Sequence, residues 1–255
     1  MLGLLVSERE RVWKRKRVLF LIIAYLCIVA IYAFRLIQKG EGVYDYGEGR
    51  AVLTNLNLSW FVLQDMSFIV QAIIVPIFAI GSLCDEITSG AYRFYMLRPF
   101  GRFQHLLVKL YAQLEVIFIF IAATYVLSTI LAWVFLPHSS SAVLYHSTTQ
   151  VSSIQANIYS FKLFGIHFLT CTLMLMMSSV ICFFVPISVI AFILILFLPF
   201  VIYLMNSEFL ILNNPFSVVL DVLSDTGHSV FWFYLGGSLL VFTLVSFVQW
   251  NRKSI

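Results

Sequence analysis

Long apolar runs alternate with short polar segments along this chain of 255 residues. A helix needs about 20 apolar residues to cross roughly 30 Å of hydrocarbon. The runs are continuous rather than alternating with a period of two, which favours transmembrane helices over a barrel. Six spans are predicted, at about 18–34, 58–83, 106–136, 163–184, 187–205 and 230–249.

The fourth and fifth spans lie in one continuous apolar region. Region 163–205 contains no Asp, Glu, Lys or Arg, and as a helix it would be roughly 65 Å long, too long for one crossing and right for two. Pro186 and Ser188 are the expected turn between the two helices.

Composition agrees with a membrane protein. Hydrophobic residues make up 61% of the chain and charged residues 11%, whereas soluble domains are about 25% charged. The basic residues flank spans rather than cover a soluble face, so no nucleic-acid partner is expected. The four cysteines form no CxxC pair and are expected to be small buried apolar residues.

The distribution of charge predicts the orientation. Most of the 16 basic residues lie before the first span, in the loop after the second span and at the C-terminus. Cytoplasmic loops carry the excess of Lys and Arg, so these three regions are predicted to be cytoplasmic. The fold class is therefore an all-α polytopic membrane protein with six transmembrane helices, both termini in the cytoplasm and a location in the cell membrane.

Residues 2–16 are predicted to form an amphipathic elbow helix on the inner membrane surface. Its apolar stripe is Leu4, Leu5, Val12 and Trp13, and its wet side is Glu8, Arg9, Arg11, Lys14, Arg15 and Lys16. Either the helix also packs against a cytoplasmic partner, or it is a topology anchor with no other role.

Two connections on the opposite side differ in character. Loop 137–159 is rich in Ser and Thr and is predicted to be a solvated connection. Segment 206–228 keeps apolar residues at helical spacing, interrupted by Asn213, Asn214 and Pro215. That pattern favours a short re-entrant or interfacial helix pair.

The loop after the second span carries the most informative pattern. Asp85 and Glu86 open a predicted helix at 85–98, and Pro99 ends it. Tyr92 and Tyr95 belong to an aromatic surface on this helix. A short helix with exposed aromatics fits a groove on a soluble partner, although an ordinary loop with aromatics at the membrane interface has the same composition.

The same loop resembles that of a known family. Its pattern is E-x-x-x-G, a hydrophobic stretch, L-x-P-x-x-R and a later Lys, formed here by Glu86, Gly90, Leu97, Pro99, Arg102 and Lys109. This is similar to the first cytoplasmic loop of type-2 ATP-binding-cassette transporter permeases, where the loop is a coupling helix that docks into the ATPase. Ala91 stands where Thr or Ser is common in that family.

The resemblance implies a transport subunit rather than an enzyme. Two permease chains, identical or different, would work with two separate ATPase chains, which would bind ATP and Mg²⁺. This chain has no GxxxxGK[ST] phosphate loop, and no cofactor or metal is expected on it. The family implies export, from bacterial cells, of a peptide, an antibiotic or another amphipathic substrate. In that arrangement Glu86 and Arg98 would be polar contacts with the ATPase, and Tyr92 and Tyr95 its apolar anchor.

Polar residues inside the spans are further candidates. Asp65, Gln71 and Glu115 are expected to face the bundle interior or a substrate path, because ionisable groups in a span are costly. Asp65 is predicted near the outer side and within reach of Lys162 or His167, and Glu115 near the inner side. Two alternatives remain from other classes of protein: an intramembrane enzyme using these carboxylates, and a non-transporting immunity or assembly factor.

Overall fold

The computed structural model of the chain describes residues 2–44, 50–90, 101–144, 150–205, 210, 212–224 and 228–252, without the side chains of Leu2, Arg102, His228 and Ser229. Its helices are α1 (Leu2–Trp13), α2 (Lys16–Lys39), α3 (Leu58–Thr88), α4 (Arg102–Phe135), α5 (Ser153–Phe184), α6 (Ser188–Met205), α7 (Pro215–Leu223) and α8 (His228–Arg252). Its strands are β1 (Glu41–Val43), β2 (Arg50–Val52), β3 (Ser141–Val143) and β4 (Gln150–Ser152).

The six predicted spans are confirmed as helices. Six helices, α2 to α6 and α8, are long and apolar enough to cross a membrane. Large apolar side chains such as Phe20, Phe197 and Leu240 are exposed on their outer faces. A soluble monomer rarely exposes this much apolar surface, and lipid is the solvent that suits it.

Several spans begin earlier than the hydrophobic pattern predicts. α5 starts at Ser153 rather than near 163, because Ser152 and Gln155 form a capping box in the polar stretch before the apolar run. The turn between α5 and α6 is confirmed, since residues 185–187 are not helical. α1 confirms the predicted elbow helix, with Leu4 and Val12 buried on its inner face.

α5 is the central helix of the bundle. Its most apolar stretch is 83% buried, against 17% for α6 and for α8. Small polar side chains join it to its neighbours. Trp60 Nε1 donates to Ser160 Oγ at 2.7 Å, and the hydroxyls of Ser179 and Ser246 are 2.7 Å apart. These pairs satisfy polar groups that would be costly in hydrocarbon.

α3 is one continuous helix with two π turns, at Ile69–Ile74 and Ile80–Cys84. Pro76 lies in the short α-helical stretch between them. Proline removes a backbone donor and crowds the preceding turn, and local π geometry is one way in which a span accommodates it. Each π turn shifts the register of the side chains that follow.

Two antiparallel hairpins close the end of the bundle opposite α1, here called the hairpin end. β1 pairs with β2, and β3 pairs with β4. The Asn55 side chain accepts a 2.9 Å hydrogen bond from the backbone N–H of Ser139 and so joins the two connections. Loop 137–159 is therefore not a simple solvated connection, because strand pairing and the start of α5 organise most of it.

Segment 206–228 is helical only in part within the described residues. α7 begins at Pro215, and Asn214 Oδ1 accepts a hydrogen bond from Ser217 N at 3.4 Å. Phe216 and Leu220 are buried. The predicted short helix is confirmed here, packed on the bundle, whereas the first helix of the predicted pair falls largely on residues outside the described ones. The cysteine prediction fails for Cys27, which is exposed.

Candidate functional site

The end of α3 that lies next to α1, here called its inner end, carries a buried ion pair that the sequence pattern did not indicate. Glu86 lies in the last turns of α3 and is 6% exposed. Lys109 lies on α4 and is 2% exposed. Lys109 Nζ donates to Glu86 Oε2 in a direct ion pair. The pair joins the two helices on either side of the loop that resembles a coupling helix.

Two side chains of α1 extend this pair into a four-membered ion cluster. Arg11 contacts Glu86 through Nη1 and Glu8 through Nη2, the second contact at 2.6 Å. Glu8 Oε1 is also 3.8 Å from Lys109 Nζ. We call Glu8, Arg11, Glu86 and Lys109 the ion cluster. Its two carboxylates balance its two cations, and Arg15 lies at its edge, 3.9 Å from Glu86.

Burial explains why the members of the ion cluster depend on one another. A lone charge moved out of water is costly, and a buried pair is tolerated only when charge and geometry are matched. Glu8 was predicted on the wet side of α1, yet it is 4% exposed. That prediction is wrong because Arg11 and Lys109 compensate its charge and so allow α1 to bury it.

The predicted role of Glu86 as a surface contact also changes in view of its surroundings. Its carboxylate is occupied by Arg11 and Lys109 inside the molecule. A docking partner meets exposed groups, and Glu86 is not one of them. Through its ion pairs Glu86 instead joins α3 to α1 and to α4.

Further contacts fix the inner end of α3 to other elements. Arg15 Nη1 donates to the carbonyl of Gly81 at 3.1 Å. Ser188 Oγ, at the start of α6, donates to Asp85 Oδ1 at 2.6 Å. Cys84 Sγ donates to the carbonyl of Val185 at 3.2 Å. The last turns of α3 are thus held by α1, α4 and α6 and by the two connections that contain Arg15 and Val185.

Gly90 follows the last turn of α3, and its φ is +71°. Glycine adopts this left-handed conformation without the Cβ clash of other residues, which accounts for the glycine four positions after Glu86. The next predicted docking residues, Tyr92, Tyr95, Leu97, Arg98 and Pro99, lie outside the described residues. Arg102 is the first residue of α4, and only its backbone is described.

Glu115 lies near the same end of the bundle, as predicted, and pairs with α1. Arg9 Nη2 is 2.6 Å from Glu115 Oε1. On the outer face of α1, Lys14 donates to Glu10 at 2.8 Å. This hydrogen bond, together with the Lys14 charge, lowers the pKa of the Glu10 carboxyl.

Asp65 is far from Glu115 along the bundle axis, and its neighbour is not the one predicted. The Tyr32 hydroxyl of α2 donates to Asp65 Oδ2. His167 is instead enclosed beside Thr170 and Cys171 of its own helix. Asp65 is exposed rather than in the bundle interior, and it begins a line of exposed residues along α3 that continues through Phe68, Ile73 and Ile77.

Gln71 is in the bundle interior, as predicted. It is 2% exposed and lies in the first π turn of α3. Its Nε2 donates to the carbonyl of Leu212 at 3.1 Å, and its Oε1 accepts from Thr170 Oγ1 at 3.2 Å. Gln71 therefore links α3 to α5 and to the segment before α7.

Three residues of this site were missed from the sequence. Lys109 belonged to the motif, but the sequence predicted no role for it. The contacts that Glu8 and Tyr32 make were not predicted either. A signal did exist for the first two, because Glu8 and Arg11 are spaced to pair on one helix face and Glu86 and Lys109 flank one loop. Nothing in the pattern identified Tyr32 as the partner of Asp65.

Among the described residues no group of His, Cys, Asp and Glu is arranged to hold a metal ion. Comparison with known proteins finds neither a family model nor a curated protein that matches the chain. The architecture itself defines the class. With six helices able to span the bilayer and an apolar outer surface, the chain is a multi-pass membrane protein.

Proposed function

We propose that this chain is the membrane-spanning permease subunit of an ATP-binding-cassette transporter. The observation that carries the proposal is the ion cluster. Glu86 and Lys109 stand at either end of the motif that resembles a coupling helix, and both are buried in one set of ion pairs. Because the ion cluster joins both ends of the loop to α1, α3 and α4, a force on the loop would reach these three helices together.

The proposal assigns separate tasks to the motif residues. Glu86 and Lys109 are positioning residues that hold the ends of the loop. Docking on the ATPase belongs to the aromatic part of the loop, with Tyr92 and Tyr95 as the anchor and Arg98 as a polar contact. ATP and Mg²⁺ bind the ATPase, and both ends of this chain face the cytoplasm, as the basic residues predict.

Movement of the loop would reach the middle of the membrane along α3. Asp65, Phe68, Ile73 and Ile77 are exposed on that helix. An ionisable side chain facing lipid costs about 2.5–3.5 kcal/mol on insertion scales. We therefore place this face of α3 against a second permease chain or a polar pathway. The exported substrate is an amphipathic molecule such as a peptide or an antibiotic, and the cell is bacterial.

The test is purification of the tagged chain from its native membranes in mild detergent, with and without crosslinker. A soluble ATPase is expected to co-purify in stoichiometric amount. Tyr92→Ala/Tyr95→Ala should abolish its retention. Trp133→Ala/Phe135→Ala, which removes two exposed aromatics at the hairpin end, is the matched control and should retain it.

A second variant separates docking from coupling. Lys109→Met should keep the ATPase bound but reduce the ATP hydrolysis that the permease stimulates in proteoliposomes. The reason is that the ion pair between Glu86 and Lys109, which joins the two ends of the loop, is lost. Absence of any ATPase, even after crosslinking, would refute the proposal. An immunity or assembly factor and an intramembrane enzyme would then be the functions to test.

A further inference from the structure

A large groove opens beside the ion cluster, between α1, α2, the inner half of α3 and the start of α6. Its volume is about 1060 Å³, just above the usual range of roughly 300–1000 Å³ for pockets that enclose small molecules. The groove lies at the level where α1 meets the first span. On the predicted orientation, this is the boundary between the headgroups and the acyl chains of the inner leaflet.

The wall of the groove changes from basic to apolar along its length. Arg15, Lys16 and Arg17 line the end next to α1, together with Arg11 of the ion cluster. Leu21, Phe78 and Phe192 are among the residues that line the other end. Such a surface matches a molecule with an anionic head and a hydrocarbon tail.

The acidic residues of the groove offset only part of the charge of this basic end. Glu86 is already paired with Arg11 and Lys109, and Asp85 accepts the hydrogen bond from Ser188. Lys16 and Arg17 are exposed and form no ion pair with the residues that the structure describes. Among the described residues the lining therefore holds four cations, Arg11, Arg15, Lys16 and Arg17, against the carboxylates of Asp85 and Glu86, and it keeps a net positive charge.

A buried glutamine of α4 forms part of the groove wall. Gln113 is 1% exposed and lines the groove, and its Nε2 donates to Ser82 Oγ. Its Oε1 is buried and has no hydrogen-bond partner among the described residues. This oxygen has no contact with solvent, so a ligand in the groove would meet the cations and the apolar wall rather than Gln113 Oε1.

We infer that this groove holds one anionic phospholipid of the inner leaflet, with its phosphate at Arg15, Lys16 and Arg17 and an acyl chain along the apolar wall. Basic pockets between transmembrane helices on the cytoplasmic side suit anionic headgroups. The lipid would join α1 and α2 to α6 beside the ion cluster. This inference needs no ATPase partner and stands independently of the proposed transport function.

The probe is a defined lipid mixture. The tagged chain is reconstituted into vesicles of equal phosphatidylglycerol and phosphatidylcholine, extracted in mild detergent, and weighed with its retained lipids by native mass spectrometry. The expected result is one phosphatidylglycerol retained per chain, in clear preference to phosphatidylcholine. Equal retention of the two lipids would overturn the inference.

Two variants test the location of the lipid. Arg15→Gln/Lys16→Gln/Arg17→Gln should weaken retention about fivefold per cation, since each contributes about 1 kcal/mol near an anionic surface. Its matched control removes three cations at the hairpin end, Arg35→Gln/Lys39→Gln/Arg50→Gln, and should retain the lipid. Equal loss in both variants would indicate lipid bound only by overall charge, against the inference.

A steric variant leaves every charge in place. Gly81 lines the groove, and a Cβ added there would be 3.8 Å from the nearest Arg15 atom, which is an ordinary contact. Gly81→Leu would extend a side chain into the polar end and should expel the lipid, whereas Gly81→Ala should keep it. The inference would be overturned if the parent chain formed a dimer without lipid and Gly81→Leu dissociated that dimer. The occupant of the groove would then be a second copy of the chain.

Discussion

Loss of one member of the ion cluster should destabilise the protein far more than loss of an exposed charge. Lys109 is 2% exposed, and both Glu8 and Glu86 contact it. Lys109→Met leaves the two buried carboxylates with Arg11 as their one close cation, while Arg15 remains at the edge of the cluster, 3.9 Å from Glu86. Breaking a buried ion pair by removing one partner costs about 3–5 kcal/mol. At roughly 2–4 °C per kcal/mol, Tm should fall by about 6–20 °C.

A double-mutant cycle isolates the reason for this loss. Glu86→Gln alone leaves two cations to share Glu8, whereas Glu86→Gln together with Lys109→Met restores neutrality. The double variant should therefore lose less stability than the sum of the single variants, by about 0.5–3 kcal/mol. Lys162→Met, which removes an exposed cation from α5, is the control and should change stability by less than about 0.5 kcal/mol.

The cysteines of the chain provide the assay. Cys84, Cys171 and Cys182 are buried and Cys27 is exposed. In a Cys27→Ser background, a thiol-reactive dye should therefore report unfolding of the purified protein in detergent. A Tm for Lys109→Met equal to that of the parent, or additive effects of the two substitutions, would refute the charge-balance argument.

Three further predictions concern two glycines and one helix cap. Gly90→Ala should cost about 1–2 kcal/mol, measured by the same assay, because alanine is strained at φ of +71°; an unchanged Tm would contradict the left-handed turn. Gly42→Ala should lower Tm, since its Cβ would approach to 2.6 Å of the buried Phe61 ring, whereas Gly165→Ala, with nothing within 4 Å of the added atom, should not. Ser152→Ala should lower stability by about 1 kcal/mol through loss of the capping box, and Ser152→Thr should restore most of it.

The spans were predictable because the bilayer imposes one strong requirement. A segment of about 20 apolar residues must become a helix, since its backbone polar groups have no other partner in lipid. The beginnings of the helices are less constrained, and the capping box at Ser152 shows why. It lies in polar sequence, where hydropathy gives no signal and only the local hydrogen-bond pattern marks the start.

The candidate site was only partly predictable, because its contacts join residues far apart in the chain. The motif brought Glu86 and Lys109 to attention, but the burial of Glu86 depends on Arg11, which the sequence places in a separate amphipathic segment. The partner of Asp65 is likewise set by the packing of α2 against α3. The sequence shows which charges share a face within one helix, whereas ion pairs between helices could be identified only from the structure.

The ion cluster also has a consequence for the order in which the helices assemble during synthesis and membrane insertion. Glu8, Arg11 and Glu86 emerge from the ribosome before Lys109, and together they carry one uncompensated negative charge. Until α4 is inserted, α1 has reason to remain in water, where its carboxylate is solvated. Closure of α1 onto the bundle thus depends on the third span, because Lys109 of α4 completes the charge balance of the ion cluster.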